Sequence, residues 1–166
     1  MKTQFSQRIT LLLLLVLAIS FSCNRENNIT PEQDLGLLIQ TNSGEYNKLM
    51  VARETFDGTP FEIKEVVRTG NTLKIQVTGA GGIENYKVVW DGLLLESYPM
   101  QAKLVVGYDV PDGVQDAMLH NYTLEVDLQK LFGSVANASD VTVQVSNGSK
   151  KQDTVVDPDG STSSPK

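Results

Sequence analysis

Few side chains in this 166-residue chain are of types that do chemistry, and their spacing narrows the options further. Cys23 is the one cysteine and His120 the one histidine. A serine or cysteine nucleophile needs a base held beside it, and the base is most often histidine. His120 is expected in a loop just before a strand at Tyr122, so it reads as an isolated exposed residue rather than half of a catalytic pair. Zinc needs three or four cysteine, histidine or carboxylate ligands, and two of those three types are almost absent. The Gly79-Ala80-Gly81-Gly82 run lacks the spacing and the following helix of a phosphate-binding loop. No cofactor is expected.

Carboxylates are more plentiful. Asp109, Asp112 and Asp116 fall within one short turn-forming stretch, Asp109-Val110-Pro111-Asp112-Gly113-Val114-Gln115-Asp116. Calcium favours several loop oxygens of this kind but needs six to eight of them, so the first reading is a solvated acidic hairpin tip with no metal. Asp91 and Glu96 could form an acid and base pair if they faced one another across a cleft. Strand alternation instead puts such residues on a solvated face.

Cys23 has a different kind of context. Lys2 and Arg8 form a basic head, Leu11 to Ile19 form an unbroken apolar run, and Ser20-Phe21-Ser22 lead into the cysteine. The run is shorter than the ~20 apolar residues of a membrane-spanning helix. Its flanks fit the pattern of a cleaved export signal. At this point the chain resembles the bacterial lipoproteins, whose looser boxes with a serine before the cysteine are found in the Bacteroidetes group. The resemblance implies a signal peptide over residues 1–22 and lipid attached to Cys23. A single acyl chain holds a protein only marginally and two hold it stably, at ~0.8 kcal/mol per buried methylene. The expected location is the cell envelope, anchored to the outer membrane, with the face left open.

Without Lys2 and Arg8 the chain carries 12 basic against 20 acidic residues, a net charge of −8. Such a surface repels nucleic acid, which is not expected as a partner. Residues 23–34 are polar, lack apolar periodicity and read as a flexible tether. Residues 150–166, rich in Ser, Asp, Pro and Lys, read as a disordered tail. Within that tail, Asp153-Thr154-Val155 resembles the acceptor triplet of Bacteroidetes O-glycosylation, which would make Thr154 a modification site. Asparagine sequons at Asn28, Asn121, Asn137 and Asn147 would matter only in a secreted eukaryotic chain.

The elements that must position these groups have a period of two. Leu73, Ile75 and Val77 alternate with polar residues, as do Tyr122, Leu124 and Val126, and again Val141, Val143 and Val145. These are the marks of half-buried strands. Further strands are expected over Phe61 to Val67, Tyr86 to Trp90 and Ala102 to Tyr108, with Leu35 to Gln40 and Lys48 to Glu54 as additional candidates. Thr69-Gly70-Asn71, Gly79 to Gly82, Asp91-Gly92, Pro111-Asp112-Gly113 and Asn147-Gly148 supply the turns. Leu128 to Phe132 could make one helical turn closed by Gly133. About seven short strands without βαβ alternation point to an all-β domain over residues 35–149. The expected form is a single antiparallel β-sandwich of Ig-like type, with a small β-barrel as the alternative. Trp90, Tyr86, Tyr122, Phe61 and Phe132 are its expected core aromatics.

Asn71 to Val77, Gly81-Gly82, Asn85 to Gly92 and Glu96 to Leu104 carry a second resemblance, to a group of uncharacterised Bacteroidetes lipoproteins. It covers roughly residues 70–130, and Thr123-Leu124-Glu125-Val126-Asp127-Leu128 matches a strand of that group. Where the group has a cysteine and a histidine after the glycine pair, this chain has Ile83 and then Asn85 or Tyr86, and no second cysteine follows. No redox or metal site is therefore implied. The expected function is a membrane-anchored envelope lipoprotein whose module is non-catalytic, binding a protein or glycan partner or serving a structural role. The alternative is a small carboxylate-based hydrolase of envelope glycan using Asp91 and Glu96.

Overall fold

The computed structural model describes residues 36–56, 60–109 and 118–165. Among these residues nine strands form two sheets and no closed barrel. The small sheet is β2 (Glu62–Thr69), β3 (Thr72–Gly79) and β6 (His120–Asp127), in the order β2-β3-β6. All its pairings are antiparallel. Gly70, at φ +59° with no neighbour where a side chain would stand, turns β2 into β3. Leu73, Ile75, Val77, Leu124 and Val126 are buried, while Lys74, Gln76, Thr123 and Glu125 are exposed.

The large sheet comprises β1 (Leu38–Thr41), β4 (Tyr86–Leu95), β5 (Met100–Tyr108), β7 (Val141–Asn147), β8 (Asp153–Val156) and β9 (Thr162–Ser163), in the order β1-β4-β5-β7-β8-β9. Here the antiparallel expectation needs correction, because β1 pairs parallel with β4 and β5 parallel with β7. The β5-to-β7 connection contains a strand of the other sheet, so β7 returns in the same direction as β5. β7 is also not half-buried. Thr142, Ser146 and Asn147 are buried along with its three valines, so both faces are covered.

Side chains of both sheets meet in one core. Ile63, Leu73, Ile75 and Leu124 of the small sheet join Val88, Leu104, Val143 and Val145 of the large one. The expected aromatics take their places there: Tyr86, Phe61, Phe132 and Trp90 are buried, and Tyr122 packs against them partly exposed. Trp90 stacks edge-on against Phe132 at 5.1 Å and donates its Nε1–H to the Leu93 carbonyl at 3.2 Å. That bond meets the need of a buried indole.

Two segments depart from expectation. Lys48 to Glu54, a strand candidate, belongs mainly to helix α1 (Ser43–Ala52). Asn42 caps it by accepting from the Glu45 amide at 3.0 Å. Tyr46 and Leu49 then pack on Val89 and Val105 of the large sheet's outer face. The residues read as a disordered tail instead hold β8 and β9, because Val156 enters the core and Asp153 finds a basic partner on α1. The one-turn helix α2 (Leu128–Phe132) does form, capped by Asp127 and ended by Gly133 at φ +58°.

Side chains seal two margins of the core. Arg68, 5% exposed, donates from Nη1 to the Val141 carbonyl and from Nη2 to the Ala138 carbonyl, both at 2.6 Å, and from Nε to Gly70 at 3.0 Å. Burial lowers its pKa, and Asp157 opposes that shift. At the β2 edge, the Gln152 side chain behaves as a strand would. It accepts from the Ile63 amide at 3.2 Å and donates to the Ile63 carbonyl at 2.6 Å. Asn147 and Ser149 do the same for Phe61.

Candidate functional site

The groups singled out by type do not converge. Asp109 follows β5 and ion-pairs with Lys87, while Asp112 and Asp116 lie outside the described residues, as does Cys23. Lys87 also meets Glu45 of α1 at 2.8 Å. Burial draws the Lys87 pKa down, but hydrogen bonds and charge from Asp109 and Glu45 outweigh it and the net direction is up. Asp109 is thereby tied to the sheet and to α1. Among the described residues, no group of three or more histidine, cysteine or carboxylate side chains is arranged to hold a metal.

Asp91 sits on the outer side of β4, where a register shift separates Trp90 from Leu94. Its carboxylate accepts from the Leu93 amide at 3.0 Å, the local bond that aspartate makes in turns. Glu96 stands exposed beyond the end of β4, and no hydrogen bond joins it to Asp91. His120 is not a loop residue but the first residue of β6, opposite Gly79 and beside Tyr122. Thr154 lies in β8 opposite buried Val145, two residues from buried Val156. That register turns it toward the inner side of the sheet at partial burial. Asn147 is fully buried and donates to Phe61, so its amide is not accessible to a glycan.

What the fold does assemble is a polar area on the outer face of the large sheet, next to α1. Arg53, at the end of α1, makes a two-pronged bond to Asp153 of β8, at 2.7 and 3.0 Å. The hydrogen bond between them raises the arginine pKa and holds the Asp153 carboxyl below its usual range. Tyr46 lies close by. Burial raises its pKa first, and the charges of Asp91 and Asp153 add to that while Arg53 opposes it. Lys103 on β5 is level with the β4 irregularity and with Gln144 of β7. It is partly exposed and makes no hydrogen bond or ion pair among the described residues. Leu93 and Leu95, 62% and 42% exposed, border this area, and Tyr98 stands fully exposed at the hairpin tip.

This surface offers an uncommitted cation, amides and apolar side chains, which can bind a partner. It has no paired nucleophile and base. Sequence reasoning missed it because Tyr46, Arg53, Asp91, Lys103 and Asp153 come from four separate elements. The local signals were Asp91, read as a partner of Glu96, and the Asp153 triplet, whose carboxylate is committed to Arg53.

The opposite end of β4 carries a cluster of phenols. Tyr86 packs at 4.8 Å from Tyr108 and 5.5 Å from Phe61, and its buried hydroxyl has no hydrogen-bond partner. Burial moves its pKa upward, reinforced by Tyr108 and Tyr122. Gly79 makes room for it, since a side chain there would come within 2.5 Å of the Tyr86 oxygen. Tyr108 and Tyr122 donate to the carbonyls of Ala80 and Gly81, pinning the glycine-rich turn. No helix among the described residues is long and apolar enough to cross a membrane. No protein-family model matches the chain, and neither the curated proteins nor the solved structures provide a match.

Proposed function

We propose that this protein is a lipoprotein of the cell envelope, anchored to the outer membrane through lipid on Cys23, and that its domain is a non-catalytic binding or structural module. The observation that carries the reading is the leader itself: a basic head, an apolar run too short to span a bilayer, and a serine before the only cysteine. The domain is best described as a β-sandwich of Ig-like kind, with two facing sheets around one core. The partner is a protein or glycan, met on the outer face around Lys103, Gln144 and Leu93. Structural commitments support a non-catalytic role, because Asp91 caps a turn and Asp109 is paired with Lys87.

Chain direction adds an orientation. β1 enters beside Lys87, so the first strand of the domain begins at the tyrosine end of β4. The hairpin tip bearing Tyr98 is at the other end of that strand, ~30 Å away at ~3.3 Å per residue. The deciding measurement is the intact mass of protein extracted from membranes, beside a Cys23→Ala variant. A chain starting at Cys23 with added acyl mass, and a soluble variant, is the expected result. An unacylated wild-type chain would overturn the anchor. Turnover of an envelope glycan that disappears on Asp91→Asn or Glu96→Gln would overturn the non-catalytic reading.

A further inference from the structure

The two edges of the small sheet are finished differently. β2 is closed by the side chains of Gln152, Asn147 and Ser149, and a register shift interrupts it between Ile63 and Glu65. Among the described residues β6 has neither device. It pairs with β3 over eight consecutive positions without a shift, and no second strand pairs with it among the described residues. It contains no proline and no lysine, two of the residues that protect exposed edges. Of the three charged or amide side chains on its outer face, Glu125 bonds Lys74 at 2.7 Å and Asn121 bonds Thr78, while Asp127 caps α2 by accepting from the Lys130 amide at 3.0 Å. A strand edge of this length and regularity is a template for another strand.

We infer that β6 pairs antiparallel with β6 of a second copy of this chain, joining two three-stranded sheets into one of six. The sequence of β6 has a self-complementary register. Residues facing each other across an antiparallel pair point to the same side, so the pairing must keep outer residues opposite outer ones. A two-fold axis at Leu124 does so. It sets Leu124 against its own copy and Tyr122 against Val126 on the inner side, and Thr123 against Glu125 and Asn121 against Asp127 on the outer side. Each carboxylate then meets a neutral hydrogen-bonding group. Moving the axis to Glu125 would put two carboxylates directly opposite, which is destabilising. Moving it to Thr123 would set exposed Asp127 against Leu119. The arrangement is an isologous interface, in which each contact occurs twice.

Thr123 gives the test, being exposed on the outer face and opposite Glu125 only in the dimer. The full-length protein, solubilised in detergent, is measured by sedimentation velocity across a concentration series. The expected result is a dimer that Thr123→Glu weakens roughly five- to tenfold, through two new like-charge contacts, and that Thr123→Lys strengthens, through two opposite-charge ones. Circular dichroism and thermal melting of each variant verify that the fold persists. If Thr123→Glu fails to fold, Thr123→Lys alone carries the test, with no tightening counting against the pairing. A wild-type chain that stays monomeric at ~100 μM, or a dimer unchanged by either substitution, would overturn the inference. A monomer whose β6 amides gain exchange protection only with an added extended peptide would also overturn it, and would assign the edge to another protein.

Discussion

The two sheets share a core yet follow different rules. In the small sheet one face is buried and the other wet, so apolar and polar residues alternate without exception from Leu73 to Val77 and from Tyr122 to Asp127. In the large sheet the outer face is itself half covered. α1 lies over Val89 and Val105, and the β8–β9 turn reaches Thr142 through Asp157 at 2.8 Å. The runs Val88-Val89-Trp90 and Leu104-Val105-Val106 are buried throughout. A strand covered on both faces loses its alternation, and it gains places where another element must dock. The small sheet has a readable pattern and ends in β6, beyond which no further strand pairs among the described residues; the large sheet has an ambiguous pattern and the assembled polar surface.

The contrast is broken most sharply at equivalent outer positions. Val105→Asp puts an unpaired carboxylate under α1 and is expected to cost at least ~4 kcal/mol, enough to unfold a domain of this size. Gln76→Lys, which places a charge on the outer face of the small sheet opposite Glu65, should stay within ~0.5 kcal/mol. Chemical denaturation of the two variants checks both. If both are tolerated, the outer face of the large sheet is not covered as described. Inside the core the sheets should respond alike. Leu124→Ala is expected to lose ~3 kcal/mol, a value typical of fully buried leucine, read from the shift in denaturation midpoint.

Acid provides a subtler probe, because the Arg53–Asp153 bond fastens α1 to the large sheet and has no counterpart on the small one. The folded pKa of Asp153 is depressed, so its contribution is complete above the unfolded value of ~3.9 and is lost as pH falls through the lower folded value. Stability measured from pH 6 downward should therefore fall for the wild type below about pH 4, and fall less steeply for Asp153→Asn. Equal slopes would show that the bond adds nothing. A modest loss is expected at the joint between the sheets. Gly133→Ala forces a side chain onto a backbone at φ +58° and should lower stability by ~1 kcal/mol.

Legibility followed the same division. β3, β6 and β7 could be read from alternation, and α2 from Gly133 after an apolar turn. α1 could not, because its ten residues carry only two buried side chains and no apolar stripe. β8 and β9 were hidden for another reason. Their sequence is polar enough to suit a tail, and they are held by Val156, by pairing with β7 and by the ion pair to Arg53, which is 100 residues away in sequence. The candidate surface was less legible still. Of its residues only two are marked by the sequence, Asp91 as one member of a pair with Glu96 that the fold does not join, and Asp153 as part of the triplet around Thr154.

By itself, the sequence determined the local properties of this protein: the basic and apolar run ahead of Cys23, the strand period, the turns and the acidic balance. Each depends on neighbours within a few residues, where propensity and spacing act directly. Tertiary structure decided the rest. It set the parallel pairings of β1 and β5, the second covering of the large sheet, the conversion of a polar tail into two strands, and the gathering of Tyr46, Arg53, Asp91, Lys103 and Asp153. Those features depend on which distant segments share a face, and that is determined by burying apolar area and pairing polar groups across the whole chain, not by any one stretch of it.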